Sequence, residues 1–143
     1  TSCGCGLNDV AISLSRIAGG EDAVPYSWSM IVSMRLGNPG QHACGGTILT
    51  ERYILTAAHC VGRLGPDEQY SIHIMPLIRR VRRFFIHPAW NKSISTGPND
   101  IAILELVTPL DVGLASRTTR TCLPKLNASI DISRYPSNYT RLM

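Results

Sequence analysis

Residues that interrupt regular secondary structure recur along the whole chain and limit how long any element can run. The 143 residues include 12 glycines and 9 prolines. Groups of these residues recur about every ten positions, a spacing that suits short strands joined by turns better than long helices. The sequence therefore predicts an all-β fold, either a small barrel or a sandwich.

Between these breakers, apolar residues alternate with polar ones or form short runs. The predicted strands run from about Ser27 to Leu36, His42 to Leu49, Tyr53 to Leu55, Tyr70 to Ile74, over part of Arg79 to Ile86, and from Ile101 to Val107. The last of these is mostly apolar, which is typical of a strand buried on both faces. The segment from Ala57 to Cys60 departs from alternation and predicts one turn of helix.

The composition excludes several classes of protein. With 44% hydrophobic and 17% charged residues, the chain does not have the composition of an intrinsically disordered protein. Its net charge of +4 is well short of that of an obvious polyanion binder, and no apolar run approaches the ~18 residues of a membrane span. Five cysteines and three N-x-S/T sequons, at Asn91, Asn127 and Asn138, favour a secreted, extracellular protein with three candidate glycosylation sites.

Two polar residues lie beside apolar segments. A histidine such as His59 is most often a hydrogen-bonded packing residue, but its side chain also suits acid–base chemistry near neutral pH. Asp100 precedes the apolar strand at Ile101, where it is either a turn residue or a partly buried carboxylate that needs a partner. His59 is the natural partner, since a carboxylate fixes the tautomer of a catalytic histidine.

The segment from Ser15 to Ala23 joins a basic residue to an apolar residue and two glycines. Cleavage after Arg16 would free the ammonium group of Ile17, which could then be buried as a cation. The alternative interpretation is an exposed polar linker.

Five short segments, in the order RIAGGEDAVPYSW, CGGTIL, LTAAHC, NDIAIL and CLP, span Arg16 to Pro124. Together they resemble the trypsin/chymotrypsin family of serine endopeptidases. The resemblance implies an N-terminal Greek-key β-barrel from a fold of two barrels, with the second barrel missing. It also implies three regions: a propeptide or light-chain tail over 1–16, the barrel over 17–122, and an interdomain linker over 123–143.

The same resemblance assigns roles to the residues already singled out. His59 would be the general base, Asp100 its orienting carboxylate, and the bond between Arg16 and Ile17 the site of zymogen activation. The disulfides it implies are Cys44–Cys60 beside the base and a second bond from Cys122 to either Cys3 or Cys5. Protein or peptide substrates and protein inhibitors would be the partners, with no cofactor.

The chain also departs from the family pattern. It contains no Gly-Asp-Ser-Gly-Gly segment, which carries the family's nucleophilic serine, so we expect this polypeptide to be inactive by itself. No acidic residue lies between Tyr70 and Asp100, and we therefore expect no calcium site there, because calcium needs oxygen ligands.

Three alternatives compete with the endopeptidase. A zinc module would use His42, Cys44, His59 and Cys60, but their spacing does not match known zinc sites. A nucleic-acid site would use the arginine run from Arg79 to Arg83, but such runs are usually solvated faces, and we expect Phe84 and Phe85 to belong to the core rather than to a stacking platform. The third alternative is an inactive protease homologue that acts as a binding or regulatory module.

Overall fold

The computed structural model describes residues 26–37, 40–62, 70–74, 77–94, 97–113 and 116–123. Within these ranges the chain forms six strands and one short helix. They are β1 (Ile31–Leu36), β2 (Gln41–Ile48), β3 (Tyr53–Thr56), α1 (Ala58–Val61), β4 (Tyr70–Ile74), β5 (Leu77–Ile86) and β6 (Ala102–Leu106). The predicted all-β class and the predicted helical turn before Cys60 are both confirmed.

The strands close into an antiparallel barrel in the order β1-β2-β3-β6-β5-β4. The first three strands form a meander, and β4 then returns to pair with the other edge of β1. This arrangement, with the fourth strand beside the first, defines a Greek key. Strands β5 and β6 complete the barrel, since β6 pairs with both β5 and β3. The predicted Greek-key barrel is therefore confirmed.

Alternating side chains of these strands fill the barrel. The largest fully buried apolar side chains are Val32, Met34, Ile48, Ile54, Val61, Ile72, Leu104 and Leu106. Burial of each such side chain stabilises the fold by roughly 1.5–3 kcal/mol. Gly46 lies among them because there is no room for a larger residue: a Cβ at this position would lie 2.8 Å from Cγ2 of Ile54.

The predicted start of the first strand is wrong. Residues 26–30 form turns, and the strand begins only at Ile31, whose N–H donates to the carbonyl oxygen of Trp28 at 2.9 Å. Tyr26 has a φ of 68°, a left-handed conformation that no strand contains. The alternation of polar and aromatic residues after Tyr26 therefore belongs to a turn.

Two burial predictions are also wrong. Ile101 and Val107 lie outside β6 and are 43% and 45% exposed, so the strand is shorter than its apolar sequence predicts, although four of its five residues are buried on its two faces. Phe84 and Phe85, expected in the core, are 42% and 47% exposed. The physical reason is the pairing of β5: its first four residues pair with β4, and the later ones pair with β6 alone among the described strands.

The four-residue α1 is the only helix among the described residues, and it is too short to cross a membrane. The predicted region boundaries after residues 16 and 122 remain predictions, since 1–25 and 124–143 lie outside the described residues.

Candidate active site

The barrel topology brings His59 and Asp100 to the same end of two neighbouring strands. Strand β3 ends at Thr56, which pairs with Ala102 at the start of the antiparallel strand β6. The segment that leaves β3 and enters α1 therefore lies beside the segment that enters β6. His59 is in the first of these segments and Asp100 in the second.

The Asp100 carboxylate contacts both the backbone and the ring of His59. Its Oδ1 accepts the main-chain N–H of His59 at 2.8 Å, and its Oδ2 lies 2.6 Å from Nδ1 of the imidazole. Helix α1 begins after Ala57, which offers no side-chain cap. Because the first N–H groups of a helix lack partners within it, Asp100 also serves as the missing cap. One carboxylate thus fixes the position of the residue and of its ring.

The electrostatics of the pair follow from these contacts. Two hydrogen bonds from His59 lower the pKa of Asp100. The bond from the ring has the larger effect, and the bond from the main-chain amide has the smaller one. The carboxylate is therefore ionised at neutral pH and accepts a hydrogen bond from Nδ1–H, which leaves the lone pair on Nε2 of the imidazole. The His59 side chain is 48% exposed, and its Nε2 lies 3.6 Å from Sγ of Cys60.

The turn before β6 aims the Asp100 side chain. Asn99 has a φ of 65°, a conformation that asparagine tolerates better than most residues. The N–H of Ile101 donates to the Asn99 carbonyl oxygen at 2.8 Å, and the Ile101 carbonyl oxygen accepts the N–H of His87 at 3.1 Å. The turn interpretation of Asp100 and its partnership with His59 are therefore compatible, since the turn presents the carboxylate.

A disulfide joins Cys44 of β2 to Cys60, the residue after His59, with the two Cα atoms 6.2 Å apart. This pairing is confirmed. In the chain-entropy account a bond that closes a loop of this size stabilises by about 3 kcal/mol. It also ties the helix that carries the imidazole to the barrel wall.

The same disulfide argues against the zinc alternative. Ligand atoms of Cys44, His59 and Cys60 lie within 4.8 Å of one another, closer than their spacing suggested. However, zinc is bound by thiolates, and these two sulfurs are bonded to each other. The fourth proposed ligand, His42, instead contacts the Ser33 hydroxyl through Nδ1 at 2.8 Å. This donor set does not fit a zinc ion.

The family model described as Trypsin matches residues 17–140. The chain belongs to the trypsin family. Chymotrypsin-C of Bos taurus is 33% identical over 140 residues, which cover 87% of this chain and 48% of that protein. Chymotrypsin-like elastase family member 3A of Homo sapiens is 35% identical over 117 residues, which cover 71% of this chain and 42% of that protein.

The solved structure of neuropsin, a serine protease expressed in the limbic system of mouse brain, matches with a TM-score of 0.63 at 23% identity. The match covers 76% of this chain and 48% of the neuropsin chain, and it supports the barrel fold. The chain thus spans about half of the chymotrypsin-C, elastase and neuropsin chains that it matches.

Helix α1 of this trypsin-family chain is held by a packing contact between Gly62 and Trp90 that the sequence does not predict. Ala58 and Val61 are buried against the barrel, and the N–H of Gly62 donates to the Ala58 carbonyl oxygen at 2.7 Å. The Trp90 ring lies so close to Gly62 that any Cβ there would overlap it. A glycine after a short helix signals a helix end, but nothing in the local sequence points to a tryptophan 28 residues later.

The other predicted site residues have separate outcomes. Arg16, Ile17, Cys3, Cys5, Asn127 and Asn138 lie outside the described residues. Cys122 is disulfide-bonded, and its partner, Cys3 or Cys5, remains a prediction. Asn91 is exposed, and its Oδ1 accepts the N–H of Ser93 at 2.9 Å. Glycosylation at the three asparagines also remains a prediction.

Proposed function

We propose that the chain supplies the general base and the orienting carboxylate of a serine endopeptidase. The observation that carries the proposal is the double contact of Asp100 with the ring and the main chain of His59. In the general mechanism of this family, the imidazole takes a proton from the nucleophilic serine and later gives it to the leaving amine. The ionised Asp100 stabilises the imidazolium that forms between these two steps.

The nucleophilic serine, the oxyanion hole and the specificity pocket come from outside these 143 residues, on a second barrel. An open groove beside the carboxylate supports this proposal, since residues from the first three strands and from the turn before β6 line it, and several of them are apolar. Two of them, Ile31 and Ile101, are 52% and 43% exposed. Loss of the serine alone costs on the order of 10⁶ in kcat, so the chain by itself is inactive.

The parent protein is made as a secreted zymogen that is activated by cleavage between Arg16 and Ile17. Two features support secretion and activation: a disulfide in a small domain, which is typical of oxidising compartments, and the basic residue followed by an apolar one at the predicted cleavage point. Its substrates are proteins or peptides, and protein inhibitors are its further partners.

The alternative is an inactive homologue that uses the same fold for binding. Such a protein has no chemical need for a carboxylate placed on the imidazole, and that geometry is retained here. The endopeptidase therefore accounts for more of the site.

The decisive experiment uses the protein expressed with any coding sequence downstream of Met143. After limited cleavage at Arg16, we expect hydrolysis of a panel of arginine, phenylalanine and alanine esters and covalent labelling by a fluorophosphonate. The His59→Ala variant should lose both. Ester turnover by the 143 residues alone, abolished by the fluorophosphonate, would contradict the external nucleophile. A downstream sequence that lacks the serine would instead favour the inactive homologue.

A further inference from the structure

The outward side of β5 carries three arginines between two apolar side chains. Along this strand the exposed residues of the outer face are Ile78, Arg80, Arg82, Arg83 and Phe85; we call this set the arginine face. Consecutive residues rise about 3.3 Å along a strand, so the face is about 23 Å long. It is therefore long enough to lie against an extended segment of about seven or eight residues.

A β-bulge explains why two neighbouring arginines share this face. The register between β5 and β6 passes from Val81 opposite Leu106 to Arg83 opposite Glu105, so Arg82 is the extra residue. A bulge of this kind re-aims a side chain, and both arginines reach the same carboxylate. Arg83 Nε lies 2.5 Å from Glu105 Oε2, and Arg82 Nη1 lies 3.5 Å from Oε1. One nearly buried acid thus fixes two guanidinium groups.

The positive charge of β5 exceeds what nearby acids balance. Among the residues that the structure describes, the Arg80 guanidinium has no hydrogen-bond or ion-pair partner. Arg79 donates only to the carbonyl oxygens of Pro109, at 3.3 Å, and Ile78, at 3.0 Å. The side chains of Arg82 and Arg83 remain 63% and 58% exposed. Each guanidinium carries five N–H donors, and the contacts with described residues use at most two nitrogen atoms of any one of them.

We propose that the arginine face binds an extended acidic protein segment that also carries apolar side chains. Guanidinium groups recognise carboxylates through paired hydrogen bonds, and the three exposed arginines lie in one row. Ile78 and Phe85, at its two ends, give apolar side chains of the partner a place to pack. The partner is thus defined by a run of acidic residues with an apolar residue at each end. This inference is independent of the proposed protease activity.

The contact between Arg83 and Phe85 favours a protein partner over a nucleic acid. The Arg83 guanidinium carbon lies 5.0 Å from the centre of the Phe85 ring. The guanidinium group therefore covers one face of that ring. Single-stranded nucleic acids are held largely by bases that stack on aromatic faces. The ring edge and the free donors remain available to a peptide.

The test measures binding of a fluorescein-labelled octapeptide, six glutamates with a leucine at each end, to the whole chain by fluorescence anisotropy. Arg80→Glu removes a cation that no described residue uses, so we expect an unchanged thermal midpoint and affinity weaker by about tenfold or more. Arg80→Gln, which adds no negative charge, should give a smaller loss and replaces the first variant if that one does not fold. Raising the salt concentration should weaken binding by the wild type most.

The control variant is Lys92→Glu, which changes the net charge by the same amount at an exposed turn outside β5. We expect it to bind the octapeptide within about twofold of the wild type. Equal losses in the Arg80 and Lys92 variants would show attraction by net charge alone and overturn the proposal. Tighter binding of a heparin fragment or a single-stranded oligonucleotide than of the octapeptide would overturn it as well. A peptide of glutamate alone should bind more weakly than the one with a leucine at each end.

Discussion

His59 and His73 lie in the same barrel and contact different kinds of partner. The ring of His59 contacts an ionised carboxylate at 2.6 Å, whereas the ring of His73 contacts the Ser71 hydroxyl at 2.9 Å. Burial and the nearby Arg35 guanidinium lower the pKa of His73. A hydroxyl cannot balance the charge of an imidazolium, and an arginine opposes it. The partner, rather than the histidine, therefore decides whether the ring can take up a proton during a reaction.

The sharpest test of this contrast is to change the side chain that each ring contacts. If the proposed function holds, Asp100→Asn in the protein expressed with any sequence downstream of Met143 should lower kcat by about 10⁴-fold, the loss known for this exchange in a trypsin-type triad, because the ring adopts the wrong tautomer. Ser71→Ala, which removes the partner of His73, should leave kcat within about twofold. Steady-state kinetics on an ester substrate give both numbers. A loss below about tenfold for the asparagine variant would show that Asp100 does not orient the base.

The disulfide gives the helix that carries His59 a covalent link to the barrel wall. Replacing both Cys44 and Cys60 by alanine should lower the free energy of unfolding by about 3 kcal/mol, since the unfolded chain regains the entropy of an open loop. Denaturant titration with and without a reducing agent measures the effect. The double variant should lose its sensitivity to the reductant at this site. A change under about 1 kcal/mol would mean that the fold holds the helix without the bond.

A smaller effect is expected from the packing beneath the same helix. Gly62→Ala places a methyl group against the Trp90 ring, and such overpacking should cost about 1–3 kcal/mol. Gly45→Ala is the matched control, because a Cβ at that position meets no atom within 4 Å; its stability should stay within about 0.5 kcal/mol of the wild type. Thermal unfolding of the two variants compares them directly. Equal midpoints would show that Trp90 yields without strain.

How far the sequence predicts this molecule depends on how local each feature is. Alternation locates most strands, and the apolar strand after Asp100 indicates a carboxylate that needs a partner. The bulge at Arg82 and the packing of Trp90 on Gly62 escape prediction, because each depends on how distant segments meet. The exposure of Phe84 and Phe85 escapes it as well, since the sequence does not show that β4 pairs with only the first part of β5. The proposed function rests on the family resemblance, and the structure adds the contacts between Asp100 and His59.

The smallest expected effects are two separate dependences of stability on acid. His73 has a folded-state pKa below the ordinary histidine value of about 6.5, so its contribution is complete above that value and is lost as the pH falls through the lowered one. Asp100 also has a lowered pKa, and its contribution is lost only below the ordinary range of aspartate. Free energies of unfolding measured from neutral to acid pH should therefore decline in two steps. His73→Gln should remove the first step and keep the second, whereas Asp100→Asn should do the reverse. Loss of both steps in one variant would mean that His73 and Asp100 do not contribute to the stability independently.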